Sequence, residues 1–145
     1  MENLTPKIIR EIANHLNCGE NCYYNRNTNQ IITIPQFLEI YDDEEYNELF
    51  QKDIDQVNNH KSKYIKIEVL ESIESFKIME KFTDKISENS FKNSLEKILQ
   101  KKKPFRNFKD VVENSDYREA WFEFKQKEIE KIVEKIIERE ENCNY

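Results

Sequence analysis

The sequence predicts an α+β fold: one predominantly helical domain over residues 1–145, with a small antiparallel sheet of about three strands. Three observations predict it. Apolar residues recur at the 3.6-residue helical period along most of the chain. That period gives way to β-prone runs near 21–25, 31–35 and 63–69. And 145 residues suit one domain with a continuous core.

Each element has its own signal. Thr5-Pro6 sets a hydroxyl N-cap before a proline at the first helical position, and Ile8, Ile9, Ile12, Ala13 and Leu16 follow at helical spacing. Gly19 offers a left-handed stop. The runs Cys22–Asn25 and Ile31–Pro35 flank Arg26-Asn27-Thr28-Asn29-Gln30, a hairpin whose asparagines tolerate positive φ. A helix follows with the stripe Tyr46, Leu49, Phe50, Ile54 and Val57 and an acidic outer face. Tyr64, Ile65, Ile67 and Val69 alternate with charged residues as a third strand.

Four helices complete the chain. Ser72 caps one carrying Phe76, Met79, Phe82 and Ile86, and Ser87 or Ser90 starts another with Phe91, Leu95, Ile98 and Leu99. Pro104 opens a short helix with Phe105, Phe108, Val111 and Val112 on one side. Asn114 or Ser115 caps the last, which carries Tyr117, Trp121, Phe122, Phe124, Ile129, Ile132, Val133, Ile136 and Ile137 to about Glu138. Its tryptophan-containing half is apolar over a wide arc and is expected to be buried. The second half narrows to a stripe, suited to the core edge or to a partner helix.

Composition excludes several classes. A single glycine rules out a P-loop or a dinucleotide fingerprint, both of which need several glycines for close approach of backbone N–H groups to phosphate. Seventeen aromatics argue against disorder, although 36 % of the residues are charged. No stretch reaches the roughly 18–20 apolar residues of a membrane span. Charges run through the N-terminal amphipathic pattern, unlike a signal peptide, and three cysteines imply no disulfide framework. The expected location is the cytoplasm.

Charge is where the chain is unusual. Residues 97–109 hold Lys97, Lys101, Lys102, Lys103, Arg106 and Lys109 and no acid, a local +6 in a chain of net charge −6. Residues 39–55 hold Glu39, Asp42, Asp43, Glu44, Glu45, Glu48, Asp53 and Asp55 against Lys52. Lys101, Lys102, Lys103, Arg106 and Lys109 are therefore the candidate binding residues. An anionic partner, nucleic acid or acidic protein, would suit them. A match to the acidic segment, or a merely solvated surface, is the plainer alternative.

Several motifs together resemble the small bacterial proteins of Uncharacterised Protein Family 0158. They include Leu4-Thr5, Tyr23-Tyr24-Asn25 with a turn leading to Ile34-Pro35, and Tyr64-Ile65 before Ile67-Glu68. The same is true of Phe76, Ile78-Met79-Glu80 and Phe82. The most specific are Pro104-Phe105-Arg106-Asn107-Phe108-Lys109 and Arg118-Glu119-Ala120-Trp121-Phe122-Glu123-Phe124. Thr28-Asn29 replaces the family's Thr-Gly, and Glu68-Val69-Leu70 replaces a proline-containing strand exit. The resemblance implies an α+β domain and carries over no catalytic residue.

Other constellations are incomplete. His15, Cys18 and Cys22, with Cys143, invite a zinc site but lack a second close pair of ligands. Neither His15 nor His60 has an evident acid orienter, so no nucleophilic pair assembles. Asp53-Ile54-Asp55 starts a calcium-loop pattern that Val57 and Asn58 break. No cofactor, metal or catalytic residue is expected. The leading expectation is a non-enzymatic binding or regulatory protein. A small enzyme with an unassembled site and a protein that dimerises through its last helix are the alternatives.

Overall fold

The structure, a computed structural model, describes residues 4–40 and 44–142, with the side chains of 39, 40 and 142 excepted. Asp42, Asp43 and Cys143 lie outside the described residues, as does the Glu39 side chain. The order is α1 (Pro6–Asn17), β1 (Glu20–Asn25), β2 (Gln30–Pro35), α2 (Phe37–Ile40), α3 (Glu44–Asn59), a 3-10 turn (Lys61–Lys63) and β3 (Ile65–Ile67). Then come α4 (Ser72–Lys85), α5 (Asn89–Leu99), α6 (Pro104–Glu113) and α7 (Arg118–Asn142). The fold is α+β and predominantly helical, with one three-stranded antiparallel sheet. The chain groups into two compact units, residues 1–69 with 129–145 and residues 70–128.

In the first unit the strand order is β2-β1-β3. β1 is paired on both edges and packed on both faces, by α1 on one and by α3 on the other, and Asn21, Cys22, Tyr23, Tyr24 and Asn25 are all buried. The register Cys22↔Ile67 and Tyr24↔Ile65 puts these four on one face, where the Cys22 thiol points at the Ile12 carbonyl of α1. Tyr23, paired with Ile32, lies on the opposite face with Ile34 and packs with Val57 of α3. The sheet is thus a filling between two helices. Asn21 is fully buried; its side-chain oxygen accepts from the Val69 N–H at 2.8 Å.

The turns follow from side-chain chemistry. Thr5 accepts from the Ile8 N–H at 3.2 Å, ahead of Pro6. Gly19, at φ +85°, takes the left-handed conformation that ends α1. Asn29 takes φ 62° in the hairpin turn, where its side-chain oxygen receives the Tyr24 hydroxyl at 2.9 Å. Asn25 receives the N–H groups of Asn27 and Thr28.

The second unit is held by aromatic rings. Phe82 meets Trp121 at 5.2 Å and Phe124 at 5.5 Å between centroids, and Phe108 meets Trp121 edge-on at 5.0 Å. Ile78, Met79, Leu95 and Val112 are buried as well.

Several expectations shift. α4 is capped by Glu71 in a reciprocal box with Glu74, one residue before Ser72. α5 follows Glu88, neither serine. Asn114 closes α6 instead of opening α7. Tyr46 and Leu49 of α3 are exposed: Tyr46 packs edge-on against Phe37 at 5.0 Å, and Leu49 lies off the face formed by Phe50, Ile54 and Val57. Phe105 and Val111 are also exposed, because the buried stripe of α6 is only Phe108 and Val112, and Phe122 of α7 is exposed as well. The four-residue α2 had no sequence signal.

Candidate functional site

The basic segment builds the connection between α5 and α6. α5 ends at Leu99, and the Lys101 N–H donates to the Ile98 carbonyl at 3.1 Å. Lys103 then turns left-handed, at φ 55° and ψ 51°, and Pro104 takes the first position of α6. A non-glycine in this region is strained, and the surroundings hold it there. The Asn107 side chain donates to the Lys102 carbonyl at 3.3 Å, and the Asn107 N–H donates to the Lys103 carbonyl. Behind the turn, Phe108 and Val112 are fully buried, so α6 is fixed by its inner face.

All five candidate cations point outward. Lys101, Lys102, Lys103, Arg106 and Lys109 are exposed, and none forms an ion pair among the described residues. Arg106 and Lys109 are three apart on α6 and share a face. Phe105, on the apolar side of α6 by its spacing, is 42 % exposed and touches Phe76 edge-on at 6.3 Å. An exposed ring therefore sits among the cations.

Lys125 was missed by reading the segment alone. Burial lowers its ammonium pKa, Lys109 pushes the same way, and Glu113 opposes. Its Nζ lies 6.0 Å from the Trp121 ring centroid. The available signal was its spacing: Lys125 follows Trp121 by one helical turn on α7.

The other candidates do not converge. His15 Nδ1 lies 2.9 Å from Glu20 Oε1, an acid orienter absent from the sequence reading because β1 had to fold back on α1 to present it. The Cys22 thiol is pushed up to about 12, first by burial and then by Glu20 and Glu11, so it is neither thiolate nor nucleophile at neutral pH. Cys18 is exposed. Among the described residues no three His, Cys, Asp or Glu side chains are placed to hold a metal, and the candidate fourth zinc ligand Cys143 lies outside them. No helix among the described residues is long and apolar enough to cross a membrane.

The model of the uncharacterised protein family (UPF0158) matches residues 6–144, nearly the whole chain. The chain belongs to that family. No curated protein and no solved structure matches it significantly. In this UPF0158 member, the Pro104–Lys109 motif forms the first turns of α6, and the Trp121 motif opens α7.

Proposed function

We propose that this UPF0158 protein is a non-enzymatic, cytoplasmic binding or regulatory protein that meets an anionic partner through the turn joining α5 to α6. The observation that supports this reading is the set Lys101, Lys102, Lys103, Arg106 and Lys109, exposed together and free of ion pairs among the described residues. Solvated cations close together lower their mutual repulsion when an anion enters, and Arg106 offers a planar fork to phosphate or carboxylate. Pro104 lacks an N–H, but those of Phe105 and Arg106 at the first turn add a modest attraction. The partner class is a polyanion, either nucleic acid or an acidic protein surface.

The net charge of −6 opposes long-range encounter, so binding is weak and salt-sensitive. If all five cations meet phosphates, affinity falls by about two to three decades between about 50 and about 200 mM salt. The test is a titration with RNA, duplex DNA, heparin and polyglutamate at these two salt concentrations. It is repeated with Lys101, Lys102, Lys103 and Arg106 changed to Gln. Binding at low salt that the variant loses is expected. Equal binding by variant and wild type, or none by either, overturns the proposal and leaves a solvated surface.

A further inference from the structure

The basic turn borders an open cleft of about 560 Å³ between α4 and α5, within the roughly 300–1,000 Å³ of small-molecule sites. Leu99 and Gln100 line this cleft and lead directly into Lys101. Phe76 lines it too and is the edge-on neighbour of Phe105. Turn, ring and cleft are therefore neighbours on one surface of the second unit.

Two features of this surface choose among polyanions. The first is Phe105, 42 % exposed with Lys103 before it and Arg106 after it. Lys109 follows one helical turn later on the same face of α6. The Phe76 and Phe105 rings cross at 74°, so Phe76 steadies Phe105 and covers at most one of its faces. An exposed aromatic face among cations is the arrangement on which unpaired bases stack. The second feature is the acidic content of the cleft, which Glu80, Asp84 and Glu96 line. Its lysines are Lys77 and Lys81, and Lys81 is engaged by Glu128 at 3.0 Å. An acidic peptide would bring its own carboxylates against these three. A nucleic acid keeps its charge on the phosphates and presents neutral bases, whose amino groups donate to carboxylates.

We propose that the anionic partner is a single-stranded nucleic acid, with phosphates on Lys101, Lys102, Lys103 and Arg106 and an unpaired base stacked on Phe105 at the edge of the cleft. This rests on the reading of the turn as a polyanion site and names its partner. A duplex offers the same phosphates, but its bases are paired and stacked on one another, so Phe105 adds nothing to its binding.

The experiment is a fluorescence-anisotropy titration of the full chain at low salt with a labelled strand of about ten nucleotides, as RNA and as DNA. The comparison ligands are an abasic strand of equal length, the matching duplex and polyglutamate. Phe105→Leu keeps an apolar contact with Phe76 but removes the aromatic face, and Phe105→Tyr keeps that face. Both intact strands are expected to bind at least about fivefold more tightly than the abasic strand. Phe105→Leu should weaken the intact strands by about five- to tenfold and leave the abasic strand and the duplex unchanged, and Phe105→Tyr should match wild type. Equal affinity for intact and abasic strands, equal affinity for polyglutamate, or intact strands unmoved by Phe105→Leu would each overturn the inference and leave the polyanion reading standing. Binding by none of these polyanions would remove that reading, and this inference with it.

Discussion

The two units solve the burial problem differently. The first wraps helices around a sheet and leaves a cavity beside Tyr23 and Tyr64. The second interlocks rings, with Trp121 between Phe82 and Phe108. Charge divides along the same line: residues 70–128 hold 13 Lys and Arg against 12 Asp and Glu, and the rest hold 10 against 17. The chain's net charge is therefore a poor guide to either part. An anion repelled by the molecule as a whole can still meet a near-neutral unit whose cations cluster on one turn.

The largest expected effect falls on the ring-packed unit. Trp121 is 5 % exposed and contacts two aromatic neighbours, so Trp121→Ala should destabilise by about 3–5 kcal/mol in chemical or thermal unfolding. An unchanged melting temperature would mean that this ring is not part of a core.

Alkaline pH should strike the sheet-centred unit next. The Cys22 pKa rises from 9.0 to about 12, and that of Tyr24 rises above its ordinary value chiefly by burial, with Glu141 adding to it. Unfolded chains release these protons first, so the stabilisation is full below pH 9.0 and is lost as pH climbs toward about 12. Urea midpoints measured across that window should fall. They should fall less steeply in Cys22→Ala, and parallel slopes would remove Cys22 as a cause.

Gly19→Ala tests a smaller term. A Cβ there meets nothing within 4 Å, so the cost is the positive φ alone, about 1–2 kcal/mol. A neutral outcome would show that the α1–β1 turn can relax.

The smallest effect concerns Lys125. Its lowered pKa means that the folded state disfavours the charged ammonium, a penalty present at neutral pH and relieved as pH rises toward 10.5. Lys125→Met, which keeps the stem over Trp121, should raise the melting temperature slightly at pH 7. A decrease would instead make the ammonium a favourable contact of the ring.

Local signals were legible where one residue type decides a conformation. Thr5-Pro6, Gly19, the asparagine turn and Pro104 all mark the boundaries read from them. The first two strands were legible as β-prone runs flanking an asparagine-rich turn and the third by alternation, though β3 is only Ile65–Ile67 because pairing with β1 ends there. Exposure was less legible, since the 3.6 period shows which residues are apolar but not how far a covering element extends. Leu49 and Phe105 fit their stripes in sequence and are exposed in the fold. The basic turn was readable because its residues are contiguous. Lys125, the His15–Glu20 contact and the cavity join residues distant along the chain or brought together by a turn, and required the fold.

The central claim, that anion recognition belongs to the turn between α5 and α6, is tested most directly by amide chemical-shift mapping. The ¹⁵N-labelled full chain is titrated with a short RNA at low salt. Shifts concentrated at Lys101–Lys109 and Lys125, with Tyr23, Ile34 and Val57 unmoved, are the predicted result. Shifts centred on the sheet unit, or none anywhere, would contradict it.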